Sequence, residues 1–378
     1  MKKAFVLLLM VLAFIGAIAN DGVYYTSGNQ LIPITETEIS VKKEILDVTR
    51  VDRQIQVHVY YEFFNPGEEK TLLVGFEAMP PSGVWEMTEE EYKRLTDHPN
   101  IHDFTVTING QRLSYQVAHV EEREGYFRNG KFDELSKQRE IQLGREMDFS
   151  EGIPYLFVYH FNAIFKKGLN IVEHTYTFEE SMYVGAEYCF DYVLTAANRW
   201  ANNQIDDFTL NVNMGDRESF GIRPTFFKNA NEWSINGVGR VSDGGDLYYD
   251  QLLFHLQKGG ITFHKRDFHP EGELVINKMD PGMMLMWSEK TSEEVMNAVK
   301  MQYTRWKTFL FEEDFTLTKE EKRILKNVPF AYRGHVFKDQ GLRKFFESTN
   351  WYVPDPEYKD DMGTMSKDER EWIEFWAK

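Results

Sequence analysis

Catalytic and metal chemistry needs a few residue types at set spacings, and this chain supplies the types more readily than the spacings. His264 and His269 stand five apart, with Asp267 between them. On a strand an odd spacing sends the two imidazoles to opposite faces, so no shared metal is expected. The chain has 60 acidic residues, including the runs Glu89 to Glu91 and Asp355 to Asp361. A glycosidase needs two carboxyls held a set distance apart across a sugar; these runs read first as solvated acidic surface. Asp355 to Asp361 lacks the alternating Asp or Asn and the Gly of a calcium loop, and Ser242-Asp243-Gly244-Gly245-Asp246 reads as a turn. There is no glycine-rich phosphate loop, no H-E-x-x-H and no G-x-S-x-G. The sequence therefore assigns no catalytic residue, no metal ligand and no cofactor.

Tryptophan is the remaining hint. Five of the eight fall after residue 280: Trp287, Trp306, Trp351, Trp372 and Trp376. Flat aromatic faces bind sugar rings or peptide as readily as they fill cores. Trp372 and Trp376 are four apart, on one helical face, and docking of an amphipathic helix accounts for them first. The single cysteine, Cys189, lies in Tyr188-Cys189-Phe190. That apolar, strand-like setting suits a buried inert thiol rather than a nucleophile. One cysteine also permits no internal disulfide, so stability must come from core burial.

The elements that would position these groups change type along the chain. From Ile39 to about Phe161 the apolar residues recur every second position, as in Ile55, Val57 and Val59 between Gln and His. Asn65-Pro66-Gly67 makes a turn, and Asn109-Gly110 between two alternating runs is a hairpin signal. Residues 121–150 break the rhythm with dense charge and read as an insertion, solvated, with a polar helix at Lys131–Glu140. Strands resume at 155–161, 169–178, 189–194, 208–212, 246–256 and 261–263. Near residue 290 the period becomes helical. Ser292 can cap a helix whose Val295, Val299 and Tyr303 share a face. Thr318 with Glu321 and Ser366 with Glu369 are capping boxes opening two more helices, and Leu342, Phe345 and Phe346 share the face of another. The expected fold is mainly β, an antiparallel β-sandwich region with room for two lobes over 20–290, followed by a small helical domain over 291–378.

The start of the chain reads as a signal peptide. Lys2 and Lys3 precede an apolar run from Ala4 to Ala19 that closes on Ala17-Ile18-Ala19. That run is short for a membrane span, and no later stretch is long and apolar enough, so cleavage after residue 19 would leave no span. No cysteine stands at the cleavage site for a lipid anchor. The formal net charge of −17 argues against nucleic acid, whose phosphates such a surface repels.

Two stretches resemble known families. Glu320 to Asn327, then Phe330-Ala331-Tyr332-Arg333-Gly334, His335-Val336-Phe337-Lys338, Leu342 to Phe346 and Trp351-Tyr352 resemble the YARHG domain in order and spacing. Phe330 stands where the family has Tyr, Tyr332 where it has Arg, and Arg333 where it has His. Gly334, after helical residues, is expected in the left-handed capping conformation. Pro329 should kink the helix or start a new one. The larger N-terminal part resembles an exported bacterial family of unknown function. The matching points are Asn20-Asp21-Gly22, the strand Ile55 to Phe64 ending in Asn65-Pro66, and Tyr192 to Thr195 leading through Trp200 to Ile205–Leu210. Both resemblances imply the bacterial envelope, periplasmic or secreted.

The function expected is non-catalytic binding or scaffolding at the cell envelope, with cell-wall glycan, peptide or another envelope protein as partner. Tyr332, Arg333, His335 and Trp351 are the candidate binding residues, Arg333 for an anionic group and Trp351 for stacking. A hydrolase of wall polymers using Asp or Glu as acid and base is the alternative from another class. A structural component that self-associates through sheet edges is the third.

Overall fold

The alternation in Ile55, Val57, Val59, Tyr61 and Phe63 is realised as a strand that buries these side chains and leaves those between them partly exposed. The structure is a computed structural model, and it describes residues 31–33, 37–78, 88–121, 126–146, 153–183, 186–244, 251–279, 291–302 and 316–378. The segment 1–19 expected to be a signal peptide, Trp287, Trp306 and Tyr303 lie outside them, as do parts of the charged stretch 121–150.

In chain order the strands are β1 (Leu31–Pro33), β2 (Ser40–Val51), β3 (Gln54–Asn65), β4 (Lys70–Ala78), β5 (Ile101–Ile108), β6 (Gln111–Arg112), β7 (Gln116–Val120), β8 (Phe127–Arg128), β9 (Lys131–Phe132), β10 (Leu156–Phe165), β11 (Gly168–Glu179), β12 (Ser181–Tyr183), β13 (Ala186–Tyr192), β14 (Ile205–Asn213), β15 (Glu218–Ile222), β16 (Trp233–Asp243), β17 (Leu252–Phe268) and β18 (Leu274–Met279). The helices are α1 (Glu89–Arg94), α2 (Lys137–Glu146), α3 (Ser292–Gln302), α4 (Lys319–Tyr332), α5 (Gln340–Glu347) and α6 (Lys367–Phe375). The fold is mainly β with C-terminal helices. One sheet runs β1-β4-β10-β7. A long open sheet runs β12-β13-β18-β15-β17-β14-β2-β3-β11-β5-β6, with β16 added on β17, and β8-β9 form a ribbon.

The small sheet lies over the β3-β11-β5 end of the long one. Phe76 of β4 meets Phe104 of β5 and Tyr176 of β11 with ring centroids 5.0 and 5.2 Å apart. The other end of the long sheet curls back, so that Tyr192 of β13 brings its hydroxyl to 3.3 Å from that of Tyr61. One continuous apolar core fills both lobes, and a separate apolar cluster belongs to the helices α3 to α6.

Several features depart from the expectation. The sandwich is not wholly antiparallel, because β14 pairs parallel to β2. A parallel pair needs a crossover, and here the chain returns through Trp200, packed 4.4 Å from Phe63. Asn202 fastens that crossover by bracketing Val41, accepting from its N–H at 3.1 Å and donating to its carbonyl at 3.0 Å. The strands expected at 246–256 and 261–263 are one, the 17-residue β17. It bends against β16 where Gly237 (φ +143°) faces Gly259 (φ +90°). A Cβ on either would sit 2.1 or 2.0 Å from the opposing carbonyl oxygen, so only glycine fits.

The charged stretch, third, is more than solvated surface. Asn129 and Gly130 both take positive φ and turn β8 into β9. The helix therefore starts later than expected, at Lys137, and buries Glu140 and Leu143. His119 fixes it, with Nδ1 3.0 Å from Glu140 and Nε2 2.8 Å from the Thr96 carbonyl. The Asn109-Gly110 hairpin forms as expected, but its returning strand is only β6; the chain then crosses to the small sheet as β7. Thr291, not Ser292, caps α3, its hydroxyl accepting from Glu294 N–H at 3.2 Å. Cys189 is buried, and burial raises its pKa further.

His174 of β11 lies at the centre of the sandwich, fully buried among Tyr61, Phe76, Phe104 and Tyr176. Neither ring nitrogen has a hydrogen-bond partner. Burial, and then the charge of His58, lowers its pKa to about 3. The folded value lies below the unfolded one of about 6.5. Its contribution to stability is therefore complete above about pH 6.5 and is lost as pH falls toward 3, at about 1.4 kcal/mol per pH unit. Between pH 7 and pH 5 the His174→Phe protein should lose about 2 kcal/mol less stability than wild type. Urea unfolding at the two pH values measures this, and equal losses would show that His174 takes up its proton as readily folded as unfolded.

Candidate functional site

The four module residues singled out in the sequence sit around the C-terminus of α4. Thr318 and Glu321 form the expected capping box at its start, Thr318 Oγ1 accepting from Glu321 N–H at 3.2 Å and Glu321 Oε2 from Thr318 N–H at 2.7 Å. At its end the Gly334 N–H donates to the Ala331 carbonyl at 2.9 Å and the His335 N–H to that of Phe330 at 3.0 Å. This is a Schellman cap, and Gly334 takes the left-handed φ of +87° that it needs. Pro329 neither breaks the helix nor starts a new one; α4 runs through it. Its missing N–H leaves the Leu325 carbonyl, four residues back, without its helical donor. The indole N–H of Trp372 on α6 supplies the bond instead, at 2.6 Å.

Arg333 then ties the cap to α6. Its Nε and Nη2 donate to the two oxygens of Glu369 at 2.9 and 2.8 Å, and Nη2 also donates to the Thr364 carbonyl at 3.1 Å. Glu369 is itself the acidic partner in the Ser366 capping box. His335 pairs with Asp360 at 2.8 Å and packs on Phe337 at 4.6 Å. Trp351 is 1% exposed, and its indole N–H donates to the Val299 carbonyl of α3 at 2.7 Å. Each of the four thus has a partner inside the protein. An external anion at Arg333 would have to displace a buried carboxylate.

Tyr332 and Trp351 also face the β body. Their rings lie 5.9 Å apart, and that of His255 on β17 stands 5.7 and 6.2 Å from them. Gln257 Nε2 donates to the Tyr332 carbonyl at 2.9 Å, the Tyr332 hydroxyl donates to the Arg217 carbonyl, and Arg240 Nη1 donates to the Thr349 carbonyl at 3.2 Å. Lys258, at the bend of β17, pairs with Asp355 at 3.4 Å. The helical module is therefore bonded along one face of the β17 end of the long sheet.

An open cleft lies elsewhere. Residues 94–99 and 101–103 with Tyr115 line a cleft of about 430 Å³. Behind it Phe104, Tyr115 and Tyr159 have centroids 5.0 to 5.6 Å apart; Phe104 and Tyr159 are buried in the core, 4% and 1% exposed, and Tyr115 is the ring of the three that is partly open. The Tyr159 hydroxyl accepts from the His98 N–H at 2.9 Å. Burial, and then the charge of Asp97, raises the pKa of Tyr115. Asp103, on the rim, takes a φ of +55° where the pairing of β5 with β11 shifts register. Bulges with such residues gather at binding sites. No sequence signal pointed here, because the wall is assembled from three separate segments.

The carboxyl of Asp191 has the environment a general acid needs, with burial pushing its pKa up to about 6. It is 8% exposed and takes the Cys189 thiol at 3.7 Å, which closes it to a polymer. Among the described residues no group of three or more His, Cys, Asp or Glu could hold a metal.

Trp372→Phe should leave the Leu325 carbonyl unpaired at a cost of about 1–3 kcal/mol beyond lost packing. Pro329→Ala restores a backbone donor to the same carbonyl, so Trp372→Phe should cost about 1 kcal/mol less in that background. A double-mutant cycle by urea unfolding measures the coupling, and strictly additive costs would disprove the shared acceptor.

Residues 301–378 match the YARHG domain, and residues 19–125 match a domain of unknown function, DUF4424. The first match contains all four module residues. The second contains Asn20 to Gly22, the strand ending in Asn65-Pro66 and most of the cleft; the stretch Tyr192 to Leu210 lies beyond it. No curated protein matches the chain. The crystal structure of a "putative nutrient binding protein" from Legionella pneumophila subsp. pneumophila str. Philadelphia 1 is similar in fold, with a TM-score of 0.51 at 16% identity over 95% of this chain and 99% of that one.

Proposed function

We propose that this chain is an exported, non-catalytic binding protein of the bacterial envelope, and that the cleft of Phe104, Tyr115 and Tyr159 takes its ligand. The half-open Tyr115 ring, braced from behind by Phe104 and Tyr159, with the exposed Asp97 beside it is the observation that carries this reading. One such ring stacks on a flat apolar face, while a carboxylate accepts hydrogen bonds from hydroxyl or amine groups at its rim. The ligand is then a small molecule, or the end of a polymer such as cell-wall glycan or peptide, with one apolar face and donors on its edge. The description of the Legionella protein accords with a small ligand. Export rests on the N-terminal segment, with its positive start, apolar run and small-residue cleavage site.

In this reading Tyr332 and Trp351 seat the helical module on the body, Arg333 braces it from within, and the His335 side chain is 30% exposed. The module adds a rigid wall, or a face for another envelope protein, rather than a free-swinging head. A wall hydrolase is disfavoured because Asp191, the carboxyl raised by burial among the described residues, is buried and paired with Cys189.

Soluble peptidoglycan fragments should be retained by the mature protein. Tyr115→Ala and Asp97→Asn should each weaken retention at least tenfold, with thermal unfolding within a few degrees of wild type. Retention unchanged in both variants would remove the cleft from the binding function.

A further inference from the structure

The cleft is lined by charges of both signs, and three of them have no partner. Arg94 ends α1, Asp97 lies in the loop after it, and Asp103 enters from β5. The other cations of α1 and α2 are engaged. Lys93 pairs with Glu89 at 3.1 Å, Lys137 with Glu140 at 2.6 Å, Arg139 with Glu121 at 3.0 Å and Arg145 with Glu89 at 2.8 Å. His102 in the lining has the Glu179 carboxylate at 3.0 Å. Among the described residues Arg94, Asp97 and Asp103 have neither an ion pair nor a side-chain hydrogen bond, and all three are exposed. The charges of Glu90 and Glu91 reach Arg94 along its own helix, but Glu90 is bonded to Lys93 and Glu91 to Thr88.

The backbone puts Asp103 where it is. Ile101 and Phe104 are three apart, an odd step, yet both lie in the main apolar core, so the strand carries one extra residue between them. His102 stands opposite Thr177 and Thr105 opposite Thr175. Asp103 and Phe104 therefore face the single Tyr176 of β11, as in a β-bulge, a device that re-aims a side chain. Asp103 is the inserted residue. Its φ of +55° lies in the region that favours glycine. Asp97 serves the aromatic side. Burial first, and then the Asp97 charge, raises the pKa of Tyr115, and the same charge bears on Tyr159. Its carboxylate is thus near the hydroxyl edge of the half-open ring, where the charge of the exposed Arg112 opposes it. Leu95, Pro99 and Tyr115, each partly open, supply the apolar part of the lining.

We infer that the cleft takes a small zwitterion of the amino-acid or dipeptide class, its ammonium held by Asp97 and Asp103, its carboxylate by Arg94, and its apolar side chain on Tyr115. This rests on the proposed binding role of the cleft and narrows the ligand. Two free carboxylates and a free guanidinium complement a molecule that carries both charges. A neutral sugar would leave all three charges unmatched, and a simple anion would face two carboxylates. A guanidinium forks onto a carboxylate, and a tyrosine face tolerates an ammonium beside it. A cleft of about 430 Å³ has room for a ligand of this size.

The test is calorimetric titration of the mature chain with phenylalanine, phenethylamine, hydrocinnamate and N-acetylglucosamine. The first three present one ring as zwitterion, cation and anion, and the last is a neutral sugar. Phenylalanine should bind best, phenethylamine more weakly, and hydrocinnamate and the sugar at least tenfold more weakly than phenylalanine. Asp103→Asn and Asp103→Gly should each weaken phenylalanine binding at least tenfold without lowering the melting temperature, since both residues suit the left-handed turn. Arg94→Gln should bring phenylalanine down to the affinity of phenethylamine. Hydrocinnamate or the sugar binding as tightly as phenylalanine would overturn the inference, and so would full affinity in both Asp103 variants, which would make that carboxylate part of the turn only. If phenylalanine does not bind while peptidoglycan fragments are still retained through Tyr115, the binding role of the cleft stands and this inference alone is lost. If neither is held, both are lost.

Discussion

The close approach of β16 and β17 at Gly237 and Gly259 is the constraint on which the rest of the molecule is hung. At that point two backbones come so near that a single Cβ on either side would collide with a carbonyl oxygen. The two glycines let β16 follow the long β17 past this point, and β17 serves both parts of the sheet. Its C-terminal half pairs with β14 and so joins the N-terminal lobe through β2. Its N-terminal half pairs with β15 and presents His255 and Gln257 to the helical module.

The helical module shows the same economy at smaller scale. A proline inside a helix normally exposes a carbonyl, and an exposed carbonyl in a small core is a liability. Here the freed Leu325 carbonyl is the acceptor that positions α6 through Trp372, and Arg333 closes the other end of α6 through Glu369. Pro329, Arg333 and Gly334 are thus explained by how they join three helices. Nothing in their geometry requires an external ligand.

What the sequence made legible was local. Period-two burial, both capping boxes, the left-handed Gly334 and the Asn109-Gly110 turn depend on neighbours within a few residues, and each stands as read. The β2–β3 turn was silent, because Asp52-Arg53 carries no glycine although both residues adopt positive φ. The parallel β14–β2 pair is set by contacts far apart in the chain, which no window of residues contains. The cleft was equally hidden: Asp97, Phe104, Tyr115 and Tyr159 come together only when β5 and β10 face each other across two sheets. Trp351 and Tyr332 were found by type, but their roles came from the neighbours the fold gave them.

The parallel pairing of β2 with β14 also governs the order in which the protein can be made. A chain emerges N-terminus first, and the β2–β3 hairpin, closed by a two-residue turn, can form at once. One edge of β2 then stays bare until Asn202 and β14 arrive, 161 residues later by the Val41–Asn202 bond. A long apolar strand with unpaired backbone groups is a template for wrong partners during that interval. Folding of this protein is therefore a race between delivery of the second lobe and capture of a waiting edge, and anything that holds that edge in the meantime acts on β2 first.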